Sequence, residues 1–252
     1  MTFNRFAILL MTAALLVPLD ASSKYSRAEA AEIKSVLELY TSQGCSSCPR
    51  ADALLKSYVD RKDVLALTLP VDYWDYLGWK DTFAKHDYSM RQRLYAKARG
   101  DGQVYTPQVV VNGLAHAVGS RKGQIDKAIA VTQKRLASRR ISATLTMNGD
   151  DLVIEANARG AESQAPERCR VWLARVQKKG TVKVRRGENG GRDLTYYNIV
   201  RQMQPVGTWT GDKMTIRLPA KGLGNAAMDA YAVIFQEGPA GPIVGAAEIS
   251  TQ

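Results

Sequence analysis

Two cysteines separated by two residues are the part of this sequence best equipped for chemistry. Cys45 and Cys48 lie in the segment LELYTSQGCSSCPRADALL, residues 37–55, of a chain of 252 residues that has only three cysteines. A C-x-x-C pair can serve as a redox dithiol, as half of a metal site or as a small structural disulfide. The rest of the sequence has to decide among these three uses.

The pattern around the pair predicts a parallel strand–helix–strand unit. An apolar run at residues 33–40 is typical of a strand, a helix is predicted over residues 48–58, and a second apolar strand covers residues 64–71. Cys45 therefore comes at or just before the first turn of the helix, where free backbone N–H groups and the helix dipole favour a thiolate. Cys48 follows three residues later and can attack a mixed disulfide formed on Cys45.

The remaining pattern predicts two domains. Residues 80–99 look helical, an Asn-Gly turn at 112–113 joins two short strands, and a basic amphipathic helix covers about residues 123–137. After that helix, closely spaced strand-like runs without helices indicate a mainly antiparallel, sandwich-like β domain. We therefore predict an α/β domain over residues 31–139 and a β domain over residues 140–252.

Residues 1–30 are predicted to be a signal peptide. Arg5 supplies a positive end, an apolar run covers residues 6–19, and the Ala-Glu-Ala tripeptide at 28–30 has the small-x-small form of a cleavage site. The apolar run is too short to span a membrane comfortably, and an uncleaved anchor is the alternative. We expect a periplasmic or secreted protein with no stable membrane insertion after cleavage, whose cysteines meet an oxidising environment.

The charge of the chain is strongly positive but not patterned. The formal net charge of +11 comes from 35 Lys and Arg against 24 Asp and Glu, and such an excess favours acidic partners in general. The basic residues are scattered and follow no zinc-finger or RNA-binding pattern, so we interpret them as a solvated surface and expect no nucleic acid. The sequence predicts no cofactor and leaves the oligomeric state open.

Two motifs resemble those of the thioredoxin-like superfamily. GCSSC at residues 44–48, after a strand and before a helix, resembles the superfamily's active-site dithiol, and YTSQGCSSC is similar to the glutaredoxin form of that turn. VYTPQVV at residues 104–110 resembles the segment in which a cis-proline precedes the next strand beside the dithiol. The resemblance implies a thioredoxin-like α/β domain in which Pro107 is this cis-proline and Thr106 lends its backbone to a substrate chain.

The resemblance extends from about residue 33 to the C-terminus. ELYTSQGCSSCPRADALL, VDYWDYLGWKD, VYTPQVVVNG and GENGGRDLTYYNIV are together similar to a family of exported bacterial proteins classified as thioredoxin-like with a domain of unknown function. The chain departs from thioredoxin by having no Trp before the first cysteine, Ser46-Ser47 between the cysteines and a longer insertion at residues 72–100. These differences lie where such proteins set the redox potential and choose their partner.

Two acidic residues are candidate proton acceptors for the dithiol. Glu38 lies seven residues before Cys45 in a strand that we expect to be buried, and its carboxylate could take the proton of Cys48 during resolution. The alternative is a glutamate at the edge or rim of the sheet. Asp72, after the second strand, is a second candidate for the same task.

Aromatic residues after the second strand are candidate substrate contacts. Tyr73, Trp74, Tyr76 and Trp79 lie within seven residues at the C-terminal end of a strand, which is where ligands bind in open parallel sheets. Tyr73, Trp74 and Trp79 are our candidates for an apolar wall beside Cys45 that binds a peptide or an unfolded chain. Packing beneath the inserted helix is the alternative.

A metal site would need more ligands than the cysteine pair supplies. His86 and His116 are the only histidines, and no second cysteine pair could complete a zinc site. A copper(I) site made of two thiolates, with His116 as a further ligand, stays open. Cys169, in the predicted β domain, is interpreted as a buried and unreactive thiol.

The sequence therefore favours an exported thiol–disulfide oxidoreductase acting on protein thiols or disulfides, with a redox partner protein as a further expected partner. Cys45 attacks as a thiolate, Cys48 resolves, and Pro107 and Thr106 position the substrate backbone. The β domain supplies a docking surface or holds the dimer or partner. The alternative is a non-enzymatic thioredoxin-like binding protein whose cysteine pair holds copper(I) or a structural bridge.

Overall fold

Strands and helices occupy most of the chain that the computed structural model describes, which is Met1 and residues 32–223 and 228–251. The predicted signal peptide, apart from Met1, lies outside these residues. The strands are β1 (Ser35–Thr41), β2 (Val64–Pro70), β3 (Gln108–Val111), β4 (Ala115–Val118), β5 (Ala143–Asn148), β6 (Asp151–Ala156), β7 (Cys169–Lys183), β8 (Asp193–Trp209), β9 (Met214–Pro219), β10 (Ala230–Glu237) and β11 (Ile243–Ser250). The α-helices are α1 (Pro49–Val59), α2 (His86–Arg99) and α3 (Lys122–Leu136), and short 3-10 helices cover Asp75–Leu77, Ala137–Arg139 and Ala220–Leu223. Among the described helices, none is both long and apolar enough to cross a membrane.

The predicted strand–helix–strand unit is present as β1, α1 and β2. The two strands pair in parallel, from Ser35 opposite Val64 to Thr41 opposite Pro70. Every residue of both strands is buried, as expected for parallel strands that are covered on both faces. α1 begins at Pro49, because proline has no N–H to leave unpaired in a first helical turn.

One mainly antiparallel sheet of eight strands dominates the described residues. Its order is β11-β10-β7-β8-β2-β1-β3-β4. The β1–β2 and β2–β8 pairs are parallel and the other pairs are antiparallel. The fold is therefore mixed α/β with few helices and a large sheet that joins both halves of the chain.

The large sheet continues across the predicted domain boundary near residue 139. β8 joins β2 where the Thr68 hydroxyl donates to the Tyr197 carbonyl (2.6 Å) and the Asn198 amide donates to the Ala66 carbonyl (3.0 Å). The described residues from 32 onward consequently cluster as one unit. This junction brings together residues that are 129 positions apart in the chain, and such a distant pairing leaves no local signal in the sequence.

The smaller sheet, in the order β5-β6-β9, packs on the large one in the sandwich-like manner expected for this part of the chain. Leu152 and Ile154 of β6 share an apolar core with Val171 of β7 and Phe235 of β10, and all four are almost fully buried. The strands of the C-terminal half are therefore mainly antiparallel, as predicted, although several of them belong to the shared sheet.

The two faces of β1 pack against different helices. Leu37 and Leu39 share a core with apolar residues of α1 and α3. Val36 and Tyr40 belong to the core that includes tyrosines of α2. Because side chains alternate along a strand, Glu38 lies with Val36 and Tyr40, on the face opposite α1.

Candidate functional site

The two cysteines lie at the start of α1, as predicted, and are joined by a disulfide. The Cys45 N–H donates to the Ser42 carbonyl and the Cys48 N–H donates to the Cys45 carbonyl, so the residues between β1 and α1 form consecutive tight turns. The Cys45 sulfur lies 3.4 Å from the hydroxyl oxygen of Ser47. Both cysteines are buried, with exposed fractions of 2% for Cys45 and 0% for Cys48.

A cis peptide bond precedes β3 beside this loop. It joins Thr106 to Pro107, which is the isomer that the resemblance implies. β3 pairs antiparallel with β1, and Gln108 lies opposite Tyr40. Extending that register by one residue places Pro107 across from Thr41, the last residue of β1. Residues 42–48, between β1 and α1, are called the dithiol loop.

Gly119 shows how closely the proline approaches α1. A Cβ placed on this glycine would lie 3.1 Å from the Cβ of Pro107 and 3.0 Å from the Cβ of Ala51. Pro107 and the first turn of α1 therefore flank the same small space, with Ala51 three residues after Cys48. The sequence-predicted pair of cis-proline and dithiol is brought together.

Two of the predicted aromatic residues hold the dithiol loop. The Trp74 indole N–H donates to the Thr106 hydroxyl (2.7 Å), and a Cβ on Gly44 would lie only 3.1 Å from the Trp74 Cβ. The Trp79 indole N–H donates to the Gln43 side-chain carbonyl (2.8 Å). These indoles connect the loop to the cis-proline segment and to the segment after β2.

The other two aromatics pack beside Trp74 in different surroundings. Tyr73 lies 6.0 Å from Trp74 between ring centroids, and its hydroxyl donates to Gln92. Tyr76 stacks on Trp74 with centroids 6.4 Å apart and is 76% exposed. Tyr76 is thus the most exposed of the four rings, whereas Tyr73, Trp74 and Trp79 are half-buried.

Glu38 is not a rim residue and does not face the dithiol. It is fully buried, accepts a hydrogen bond from the Arg91 guanidinium (2.7 Å) and another from the Tyr95 hydroxyl. Tyr95 in turn accepts a hydrogen bond from Gln236. Because Glu38 points to the α2 face of β1, the role of proton acceptor for Cys48 does not fit it, and its contacts are those of a core ion pair.

Asp72, the second candidate acceptor, is also engaged elsewhere. Its carboxylate contacts His86 Nδ1 (2.9 Å) and accepts a hydrogen bond from the Ser89 hydroxyl, and both of these residues belong to the first turn of α2. Asp72 therefore ties the end of β2 to α2 on the side away from α1.

Asp52 is the buried acid that the sequence analysis missed. It lies one helical turn after Cys48, is 3% exposed, and has neither carboxylate oxygen in hydrogen-bond geometry with another described residue. Burial raises its pKa well above the ordinary value; the nearby Thr41 hydroxyl opposes the shift and the charge of Asp81 adds to it. The available signal was its place on the apolar face of α1, beside Ala51.

A pocket of about 320 Å³ lies between α1 and the start of β8, next to Asp52. Pro49 and Lys56 line its α1 side, and Arg192 and Tyr197 line its β8 side. Asp52 is among the residues that line this pocket, and its carboxyl oxygens are themselves buried.

Asp81 holds the dithiol loop through its backbone. One carboxylate oxygen accepts the Gln43 N–H (2.7 Å), and the other accepts the N–H groups of Phe83 and Ala84. Burial raises the pKa of Asp81 to about 6, and the three backbone hydrogen bonds oppose the shift. Asp81 was absent from the sequence-predicted site.

The loop between β7 and β8, residues 184–192, contacts the dithiol loop from the other side. Asn189 is fully buried and donates to the carbonyls of Gln43 (3.0 Å) and Cys45 (2.9 Å). Glu188 accepts a hydrogen bond from the Ser46 N–H (3.2 Å). Residues of the GENGGRD motif therefore contact the dithiol loop directly.

The remaining candidates lie apart from the dithiol. Both ring nitrogens of His116 are engaged, one with the Tyr105 hydroxyl (2.8 Å) and one with Asp101 (3.3 Å). Within the described ranges, no group of three or more His, Cys, Asp and Glu side chains could hold a metal ion. Cys169 is fully buried, and burial raises the pKa of its thiol to about 12, which disfavours a thiolate.

The fold and the site define a mixed α/β protein with a C-x-x-C disulfide at a helix N-terminus, next to a cis-proline. Residues 36–236 match the family model DUF1223, whose description is "protein of unknown function". The chain belongs to this family. No curated protein matches the chain.

Two solved structures are similar to the chain. The X-ray crystal structure of protein AGR_C_4864 from Agrobacterium tumefaciens has 32% sequence identity and a TM-score of 0.76, and the match covers 88% of this chain and 96% of that one. HBP35 of Porphyromonas gingivalis has 12% identity and a TM-score of 0.56, with 87% of this chain and 75% of that one covered. The second similarity concerns the fold alone.

Proposed function

We propose that the chain is an exported thiol–disulfide oxidoreductase of the thioredoxin-like class that acts on protein thiols or disulfides. The observation that carries the proposal is the Cys45–Cys48 disulfide at the start of α1, beside the cis bond between Thr106 and Pro107. The helix N-terminus favours a negative charge, which is the charge that a sulfur atom carries when a disulfide is exchanged.

The reaction follows from the order of the two sulfurs. In the oxidising direction, a substrate thiolate attacks Cys45, the Cys45–Cys48 bond breaks, and Cys48 leaves with the electron pair. A second substrate thiolate then attacks the substrate sulfur of the mixed disulfide, and Cys45 leaves as a thiolate. The substrate has gained a disulfide, and the protein has gained two electrons and, after protonation of both sulfurs, two protons. The reverse steps reduce a substrate disulfide.

Asp52 is suited to exchange the proton of Cys48. A sulfur that leaves into a buried position needs a proton, because burial disfavours the thiolate. The raised pKa of Asp52 keeps a proton available one helical turn away. In the reverse direction the carboxylate accepts the same proton when Cys48 attacks the mixed disulfide.

The low exposure of the cysteines favours one other candidate function. A disulfide with exposed fractions of 2% and 0% also suits a structural bridge in a thioredoxin-like protein that binds a partner without catalysis. The copper(I) form of this alternative has less support, because His116 is engaged by Tyr105 and Asp101. Metal analysis of anaerobically purified protein tests it: one equivalent of copper that is lost in Cys45→Ser would favour it.

Turnover assays separate the enzyme from the structural bridge. We expect the wild-type protein to accelerate insulin reduction or the refolding of a scrambled substrate, Cys45→Ser to lose this activity, and the Cys45 pKa to lie below about 8.5, the ordinary thiol value. Wild-type activity equal to that of Cys45→Ser, with an ordinary Cys45 pKa, would contradict the proposal.

Export is proposed from the leader pattern in residues 1–30, with its charged end, apolar run and small-x-small tripeptide. The mass of the mature protein recovered from the periplasm or the medium tests it. Loss of about the first thirty residues is expected. Recovery of the intact chain from the cytosol would contradict export without changing the chemistry of the dithiol.

A further inference from the structure

The β7–β8 loop is fixed against the dithiol loop by a fully buried amide. β7 and β8 form a long hairpin, paired as far as Lys183 opposite Asp193, and residues 184–192 form its tip. The Asn189 amide donates to two carbonyls of the dithiol loop, and its own carbonyl accepts a hydrogen bond from Arg192 (2.9 Å). The position of the tip relative to the cysteines is therefore set by specific contacts.

This position places a carboxylate at the entrance of α1. Glu188 accepts the N–H of Ser46, the residue that follows Cys45. Backbone N–H groups at this end of a helix are the donors that stabilise a thiolate. Glu188 accepts a backbone N–H of the loop that leads into α1, and it adds a negative charge one residue from the attacking sulfur. A negative charge there disfavours the Cys45 thiolate and hence the reduced form of the pair.

Other charged groups near the loop act from different directions. The Arg192 guanidinium donates to the Asn189 carbonyl oxygen, and Arg192 lines the pocket that Pro49 of α1 also lines. Asp81 contacts the N–H of Gln43 on the opposite side of the loop, and Asp52 lies beneath it in α1. All three remain when Glu188 alone is changed, so their contributions cancel in a comparison of variants at this position.

We propose that the β7–β8 loop is part of the redox site and that the Glu188 carboxylate lowers the reduction potential of the Cys45–Cys48 pair. The inference rests on the proposed function, because it concerns the same dithiol, and it assigns to the C-terminal half of the chain a role in setting the direction of exchange. Glu188 is a positioning and electrostatic residue here and does not exchange electrons itself.

A charge series at residue 188 tests the inference. Wild type, Glu188→Gln and Glu188→Lys are equilibrated with glutathione at about pH 8, near the ordinary thiol pKa, and the reduced fraction is measured by alkylation and intact mass. We expect the equilibrium constant to shift toward the reduced protein by about threefold for Gln, as for an exposed charge contact, and by about tenfold for Lys. These factors correspond to about 14 mV and about 30 mV for a two-electron couple.

In alkylation-rate profiles, the Cys45 pKa should be highest in the wild type, lower in Glu188→Gln and lowest in Glu188→Lys. At about 1 M salt, where the Debye length is about 3 Å, the differences should shrink. Glu162→Gln, an exposed change in a distant turn, is the matched control and should behave as wild type. Equal potentials across the series, or a shift in the opposite order, would overturn the inference.

These measurements do not require a protein substrate. A charge-ordered shift without insulin reduction would support the role of Glu188 and count against the proposed enzyme activity. Insulin reduction by the wild type, with equal reduction potentials across the series, would support the enzyme activity and contradict the role of Glu188. The two failures are therefore distinguishable.

Discussion

The two faces of β1 each have a buried carboxyl group beside them, and the two groups have opposite surroundings. On the α2 face, Glu38 is paired with Arg91 and hydrogen bonded to Tyr95. On the α1 face, Asp52 has no hydrogen-bond partner among the described residues, and burial raises its pKa. A paired buried charge holds the core together, whereas an unpaired buried acid costs stability when it ionises. The difference fits a structural role for Glu38 and motivates the proposed proton exchange by Asp52.

The largest expected effect is the loss of the ion pair on the α2 face. Glu38→Ala leaves the Arg91 guanidinium, which is 8% exposed, without its buried partner. We expect the free energy of unfolding to fall by about 3–5 kcal/mol, measured by urea unfolding with the disulfide intact. A loss below about 1 kcal/mol, the range of exposed pairs, would show that this carboxylate is not a structural one.

The next largest loss of stability is expected at Asn189, a neutral buried residue. Asn189→Ala removes the donors from two carbonyls of the dithiol loop, those of Gln43 and Cys45. We expect a loss of about 2 kcal/mol in unfolding free energy, together with faster alkylation of the reduced Cys45. Asn157→Ala, at an exposed position, is the matched control and should leave both quantities unchanged. Equal behaviour of the two variants would remove the β7–β8 loop from the site.

Asp52→Asn should raise the free energy of unfolding, whereas the two variants above lower it. The folded-state pKa of Asp52 is raised, so the wild type loses stability as the pH rises from the ordinary carboxyl value, about 4, to the folded-state value. The variant avoids this loss. In urea unfolding, the gain in unfolding free energy over the wild type should be absent near the ordinary carboxyl pKa and grow as the pH rises. It should level off above the folded-state pKa, at about 1.4 kcal/mol for each unit by which folding raises the pKa.

The same variant should resolve mixed disulfides more slowly, by about a hundredfold, because Cys48 loses its proton acceptor. Stopped-flow release of a thiol from the mixed disulfide measures this step. If Asp52→Asn is less stable than the wild type at every pH and releases the thiol at an unchanged rate, Asp52 is a structural residue, as Glu38 is.

Local sequence signals predicted the parts of the site that are close together in the chain. The spacing of the apolar residues and the turn residues were enough to predict the β1–α1–β2 unit. The Asn-Gly turn at 112–113 joins β3 and β4 as expected. The resemblance of the Thr106-Pro107 segment gave the cis bond. These features are encoded within a few residues of where they act.

The parts that the sequence did not predict depend on distant contacts. Which face of β1 receives α1 is decided by packing, and for that reason Glu38 was expected at the dithiol while Asp52 was overlooked. Asn189 contacts the Cys45 carbonyl across 144 positions of the chain, and a glycine-rich motif gives no sign of such a partner. The β2–β8 junction that merges the two predicted domains has the same origin.

Trapping with Cys48→Ser tests most directly whether Cys45 is the attacking sulfur. This variant leaves Cys45 without its resolving partner, so a mixed disulfide with a substrate protein should persist. After incubation with insulin or a scrambled protein, we expect an adduct on Cys45 that reductant releases and that Cys45→Ser does not form. No adduct on Cys45 in the folded variant, under conditions in which the unfolded variant reacts, would contradict a redox role for the pair.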